Sequence, residues 1–529
     1  MVALFLACTV PSGSTVSGGA NELDAVALLN RASLDLRAIR PSQAEIATVE
    51  ADPDALEGLV DGYVASDAFP ERLVALYSEV FRTRADRYLT SLDNDVDFID
   101  PSKALAFKHA VGEEPLRLVA DIAANDLPYT DLVTADYTMA NDAMIEHFGL
   151  TPLQEEGPKW RRARYVDSRP AVGVLATSGM WWRYTSTKEN ANRGRAAAIG
   201  LTLLCDERFS AAVSFQGDTV NLEDRVRTDP SCVGCHATLD PLGSYLWGFM
   251  WLNQEAWLEV TRYKPSGELD WEHYSGVAPA FYGMPGDTLY ELGRQVAADP
   301  RYVDCAVETG MKFMLNRHLG VDDSPYLQAH REDFLDGGLT LRALYRSLVN
   351  DPRYREADSD DAEGSPLRSM RPDQLAGSLE ALTGYRWTWE GNDMLDTDEQ
   401  GVRILAGGAD GVIATDPAVD PSTTTALVQE RVAEAAADAA VQRERLMEPA
   451  DRTLFKDVDF DAEPDRDSTV SQVQRLLETA HGKRYDVEGD EVTALAELFD
   501  ALYAESGDSA VAWTLTLSGV FRHPDFLLY

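Results

Sequence analysis

Apolar residues fall at helical intervals along most of the chain. Between Asn21 and Tyr88, Leu23, Val26, Leu29 and Leu36 share one face of a helix. The stretch Arg37 to Ser42 breaks that pattern. Ser42, with Glu45 three residues on, forms a capping box that starts the next helix. Asp52-Pro53-Asp54 opens a third helix through Val64, with Leu56, Leu59, Val60 and Tyr63 on one side, and Ser66-Asp67 precedes a fourth from Phe69 to Phe81. From Ile145 to Ala176 the period is lost, because Pro152, Gly157, Pro158 and Pro170 divide the chain into loops. Helices return at Arg193 to Leu204, with a predicted apolar face of Ala197, Leu201 and Leu204, and at Asp287 to Val296, Tyr302 to Leu319 and Leu339 to Val349. The charged, small-residue-rich stretch Ala357 to Ser369 reads as a linker. Arg371-Pro372-Asp373 then opens a second helical domain. It contains a long Ala/Glu/Arg helix, Thr423 to Met447, and shorter ones at Val470 to His481, Val492 to Ser506 and Ala510 to Phe521. The pattern predicts a mostly α, multi-helical protein without internal repeats.

Charge narrows the function classes. Against 47 Lys and Arg stand 89 Asp and Glu, a net charge of −42. Phosphate binding needs a basic footprint, so nucleic acid is not an expected partner. Such a surface keeps a protein soluble and suits export or the docking of a basic protein. The first residues, Met1 to Thr9, form a short apolar run ending in Ala7-Cys8. This has the shape of a bacterial lipoprotein signal without its basic n-region, and it makes Cys8 a candidate lipid anchor. No later apolar run approaches the roughly 18 residues a membrane span needs, so the only expected membrane contact is a lipid on Cys8.

The chemistry concentrates in Asp229-Pro230-Ser231-Cys232-Val233-Gly234-Cys235-His236-Ala237-Thr238-Leu239-Asp240-Pro241-Leu242-Gly243. Cys-x-x-Cys-His is the attachment spacing of c-type haem: two thiols add to the vinyl groups at one porphyrin edge, and the adjacent imidazole ligates the iron. With only 5 Cys and 8 His in the chain, chance produces this pattern rarely. A thioredoxin-like dithiol should follow a strand in a βαβ unit, which is not evident here, and a zinc site needs a second Cys or His pair. Cys8, Cys205 and Cys305 are isolated in sequence. Haem attachment of this kind occurs outside the cytoplasm, where Cys205 and Cys305 are able to form a disulfide. The aromatic run Tyr245, Trp247, Phe249, Trp251 and Trp257 reads as core that doubles as a dry haem wall.

A second axial ligand is expected opposite His236. Met284 sits in a Gly-Met-Pro turn 48 residues after His236, just before an amphipathic helix, and this resembles the ligand turn of small cytochromes c. His273, Met250, Met311, Met314 and an open position compete with it. The basic stretch Lys159 to Arg164 reads either as a docking or propionate site or as an internally paired turn. Asp457, Asp459 and Asp461 lack the glycine and terminal glutamate of a calcium loop. No phosphate-binding glycine loop, nucleophile elbow or His-Glu-x-x-His motif is present.

Several segments together resemble planctomycete-type cytochrome c proteins, large exported bacterial proteins with one such haem segment. They are Leu28 to Ile46, Asp54 to Tyr77, Tyr137 to Leu150, Gly173 to Cys205, the Cys-x-x-Cys-His segment with its Asp-Pro-x-Gly tail, Tyr302 to Gly320, Gln374 to Trp387, Arg403 to Thr415 and Ala512 to Tyr529. The chain departs from the family after that tail: the apolar run Tyr245 to Trp251 replaces an acidic aromatic segment. The resemblance implies a cytochrome c-like haem domain embedded between helical domains. On this reading the layout is a leader over 1–20, an N-terminal helical domain over 21–135, a haem c-binding region over 136–356, a linker over 357–369 and a C-terminal helical domain over 370–529. The expected function is single-electron transfer through one covalent haem c at Cys232, Cys235 and His236, with Met284 as sixth ligand. The setting is the periplasm or the outer membrane and cell surface, with a basic redox protein as partner. Two alternatives stay open: a haem-dependent oxidoreductase working with a partner or substrate domain, and a non-redox surface scaffold with structural haem.

Overall fold

Helices form where capping chemistry and apolar spacing coincide. The computed structural model describes residues 22–84, 101–154, 159–210, 226, 228–250, 263–357, 368–389, 392–396, 401–409, 414–418 and 420–529, with 101–105 and 231 described by backbone alone. Cys8, Trp251, Trp257 and most of the 357–369 linker lie outside these residues. The protein is mostly α-helical, as the periodicity predicts. The first four helices are α1 (Ala25–Arg37), α2 (Gln43–Ala51), α3 (Ala55–Ala65) and α4 (Ala68–Phe81). Ser42 and Glu45 form the predicted capping box, each side chain reaching the other's backbone N–H. Leu56, Val60 and Tyr63 are buried as expected, while Leu59 packs at the margin.

The longest helix escapes the periodicity. α5 (Pro101–Ala124) runs through Gly112 and Pro115, residues that read as breakers. Pro115 cannot donate to the carbonyl four residues back, that of Val111, and Gly179 packs into the gap. A side chain at 179 would lie 2.2 Å from Val111 O and 2.8 Å from Pro115 Cδ. A small antiparallel sheet follows. Its β3 (Arg161–Arg164) lies between β1 (Thr138–Ala140) and β2 (Thr151–Pro152), with α6 (Asp142–Phe148) in the β1–β2 connection. α7 (Ser178–Arg183), α8 (Arg193–Leu204) and α9 (Pro230–Gly243) come next, then the short α10 (Trp271–Tyr274) and a hairpin of β4 (Ala280–Phe281) and β5 (Met284–Pro285). The predicted face of α8 needs correction. Ala197 and Leu201 are only half-buried, whereas Arg195, Ala196, Ile199, Thr202 and Leu203 are buried, because the helix is enclosed on several sides.

α11 (Leu289–Ala298), α12 (Pro300–Leu315), α13 (Ser324–Asp336) and α14 (Leu341–Val349) complete the first core, which draws residues from Leu28 to Tyr354; two smaller clusters, one around Phe107 and Trp182 and one around Trp247 and Met250, lie beside it. The helices before residue 135 and those around Cys232 therefore share one apolar interior. A second core, Leu375 to Phe526, is built by α15 (Pro372–Thr383), the hairpin β6 (Thr388–Trp389) and β7 (Asn392–Asp393), α16 (Val402–Leu405), α17 (Thr423–Glu444), α18 (Arg466–His481), α19 (Asp490–Ser506), α20 (Ser509–Arg522) and α21 (Pro524–Leu527). The two cores meet through polar contacts. Arg72 pairs with Asp373, Arg371 with Glu79 and Arg368 with Asp35. Asp35, 4% exposed, accepts from Tyr354, Arg368, Gln374 and Tyr529, so no face of its charge is left bare in the interior.

Cys205 at the end of α8 and Cys305 in α12 form a disulfide, their Cα atoms 5.2 Å apart. Among the described residues no helix is long and apolar enough to cross a membrane.

Candidate functional site

α9 begins where Asp229 O accepts from the N–H groups of Cys232 and Val233, with Pro230 pre-set for the first helical turn. Positions 232, 235 and 236 are i, i+3 and i+4, so the helix places both thiols and the imidazole on one face. Cys232 is buried and Cys235 half-buried, and neither forms a disulfide although Cys205 and Cys305 do. The Cys235 Sγ lies 3.9 Å from Arg208 O.

His236 continues the same stripe to Asp240, one turn on. Its Nδ1 is 3.0 Å from Asp240 Oδ1. An ionised carboxylate only accepts, so Nδ1 carries the hydrogen and Nε2 presents its lone pair. That nitrogen makes no hydrogen bond to a described residue, and the side chain is 21% exposed. Asp240 is in turn gripped by Arg193 at the start of α8, Nε to Oδ1 at 2.6 Å and Nη2 to Oδ2 at 3.1 Å. Burial alone raises the Asp240 carboxyl, but hydrogen bonds from His236 and Arg193, with the Arg193 charge, hold it below the usual range. The arrangement matches a metal-ligating histidine whose second nitrogen is fixed by a carboxylate. Two thiols, a pre-oriented imidazole and a fixed tautomer on one helical face therefore fit covalent haem.

The Asp-Pro-x-Gly tail acquires a physical reading. Asp240 orients the imidazole, and Gly243 admits α8: a side chain there would lie 2.7 Å from Ala191 O. Asn192 Nδ2 donates to Gly243 O at 3.3 Å across that contact. The i+4 spacing of Asp240 from His236 is the one sequence signal for this pairing. Arg193 gave none, lying 47 residues from Asp240.

Met284 stands at the start of β5, after a tight turn in which Tyr282 and Gly283 both have positive φ. It is 48% exposed and borders a cleft of about 640 Å³ with Glu291, Arg294, Gln295 and Arg301. β4 of this hairpin packs on α9. The rival methionines are core fillers: Met250, Met311 and Met314 are buried. His273 is exposed and meets Tyr274 edge-on.

Tyr245, Trp247 and Phe249 are all buried directly after α9. Trp247 stacks on Tyr274 with ring centroids 5.3 Å apart, and Phe249 packs against Trp181 and Tyr263. Beneath them lies Arg195, fully buried, bonded only to neutral acceptors: the carbonyls of Tyr184, Phe249 and Trp181, and Asn192 Oδ1. Burial pushes its guanidinium down to about 9. This residue nails α7, α8 and the aromatic turn together, and nothing in the periodicity announces it.

The basic stretch is internally paired. Arg161, Arg162 and Arg164 on β3 bond Asp142, Asp121 and Asp136. Asp459 and Asp461 are exposed, and Asp457 pairs with Arg475. Among the described residues, His481, His523 and Asp525 are grouped closely enough to suggest a metal. However, His481 already bonds Tyr485 OH and Val520 O, and Asp525 holds Lys483. No protein-family model, curated protein or solved structure matches the chain.

Proposed function

We propose that the chain is an exported monohaem c-type cytochrome that passes single electrons. Cys232 and Cys235 would hold the haem by thioether bonds and His236 would ligate its iron, with Met284 the residue we assign as the second protein ligand. The observation that carries this reading is the single helical face bearing both thiols and an imidazole whose Nδ1 is fixed by Asp240. When bound, haem supplies a one-electron iron couple. The chain's own residues do the rest. The Cys232 and Cys235 thiols would be the attachment points, each sulfur adding to one carbon of a vinyl group and its hydrogen to the other. Asp240 keeps the ring hydrogen on Nδ1, which leaves Nε2 as the ligating nitrogen. On this reading the protein works in the cell envelope, and its net charge of −42 favours a basic redox partner.

Expression with c-type haem maturation machinery tests this. The wild type should retain haem through denaturing electrophoresis, and C232A/C235A should not. Retained stain in the double variant, or none in the wild type, refutes the assignment. Carbon monoxide binding by the untreated ferrous protein would instead favour a haem-dependent oxidoreductase with an open iron position. A haem that no mediator reduces or oxidises would favour a structural role.

A further inference from the structure

We infer that Asp240 is a positioning residue that adds negative charge to the proximal imidazole and so lowers the reduction potential of the haem, with Arg193 as its counterweight. The inference rests on the proposed haem at His236. A histidine that ligates iron can give its Nδ1 hydrogen to a neutral carbonyl or to a carboxylate. The carboxylate makes the ring a stronger donor and favours the more positive, ferric iron. Here the acceptor is a carboxylate, 3.0 Å from Nδ1 and 8% exposed in its side chain, where little water screens it.

Arg193 acts in the opposite sense. Its fork covers both Asp240 oxygens at 2.6 and 3.1 Å, drawing charge away from the imidazole. Two of its neighbours in this contact have a visible reason to be there. Asn192 takes a left-handed backbone and bonds Gly243 O, and Gly243 lacks the side chain that would strike Ala191 O. The seating of α8 on α9 thus delivers one guanidinium to one carboxylate. Among the described residues, the Asp240 carboxylate oxygens bond His236 and Arg193 and no other side chain. A merely structural pair would not need its carboxylate placed on the ligand's own ring.

The test is potentiometric titration of the haem-loaded full chain. D240N keeps a hydrogen-bond acceptor and removes the charge. It should favour the ferrous form tenfold or more, a rise of about 59 mV for a one-electron couple. R193Q should shift the balance the other way, and R193K, which keeps charge without the fork, should shift it less. D240E should restore most of the wild-type value. A role confined to holding the two helices together predicts shifts of the same sign in D240N and R193Q, and that result overturns the inference. So does an unmoved potential in D240N carrying covalent haem. If the wild type carries no covalent haem, the proposed function falls and takes this inference with it. Should R193Q load no haem, the sign of the R193K shift decides.

Discussion

Two sulfurs and a ring nitrogen at positions 232, 235 and 236 make the most local claim in the chain. Met284 is less local. It is half-exposed on β5 of a hairpin whose other strand, β4, packs on α9. M284A is expected to convert a low-spin iron to high-spin, read by absorption and electron paramagnetic resonance spectra. An unchanged spectrum assigns the position to another group. The Cys-x-x-Cys-His set was legible because its chemistry lies within five consecutive residues. Asp240 was visible only as part of a tail, since its meaning depends on that tail being helical. Arg193 and Arg195 were invisible, because their partners come from other elements and no spacing rule links them.

At the scale of elements, close approach between helices sets what the sequence can tolerate. Gly179 sits where Pro115 leaves a carbonyl exposed, and Gly243 sits where α8 meets α9. Both neighbours are backbone, so neither can swing aside. G179A and G243V are each expected to cost about 1–3 kcal/mol, measured by urea unfolding. G243V should also loosen the grip of Arg193 on Asp240. α5 was missed because its proline is paired with a distant glycine, which periodicity does not see. α13 was missed because it buries only His330 and Phe334 in a polar sequence. The Ser42–Glu45 capping box and the helices of the second core were legible, since their signals are local. The disulfide joins α8 to α12 across 100 residues. Removing it in C205S/C305S should cost about 2–4 kcal/mol, and a thiol reductant on the wild type should cost the same. The thioether bonds should survive that reductant.

The whole molecule adds a dependence on acid. His481, at the end of α18, is 1% exposed and gives its Nε2 hydrogen to Val520 O. Its backbone carbonyl accepts from Asn30 and Arg40, which ties the first helices to the last. Burial, aided by the Arg40 charge, pushes its imidazole down to about 3. The folded state therefore holds it neutral while the unfolded chain takes up a proton below about pH 6.5. Stability should be full above that pH and fall as acid is added, losing about 2 kcal/mol between pH 6.5 and 5, where most carboxylates do not yet titrate. H481Q should show no such slope in denaturant titrations across that window. An unchanged slope in the variant assigns the proton elsewhere.

Asp35 carries a consequence for how the chain acquires its shape over time. The ribosome makes this carboxylate early, yet its four donors arrive at positions 354, 368, 374 and 529. Until Tyr529 has emerged, an anion destined for the interior lacks part of its shell, and burying it early is costly. The opening helices must therefore wait, loosely assembled, for the last ones. A nascent chain stalled before residue 368 should stay open to protease around Asp35, and release of the full length should close it.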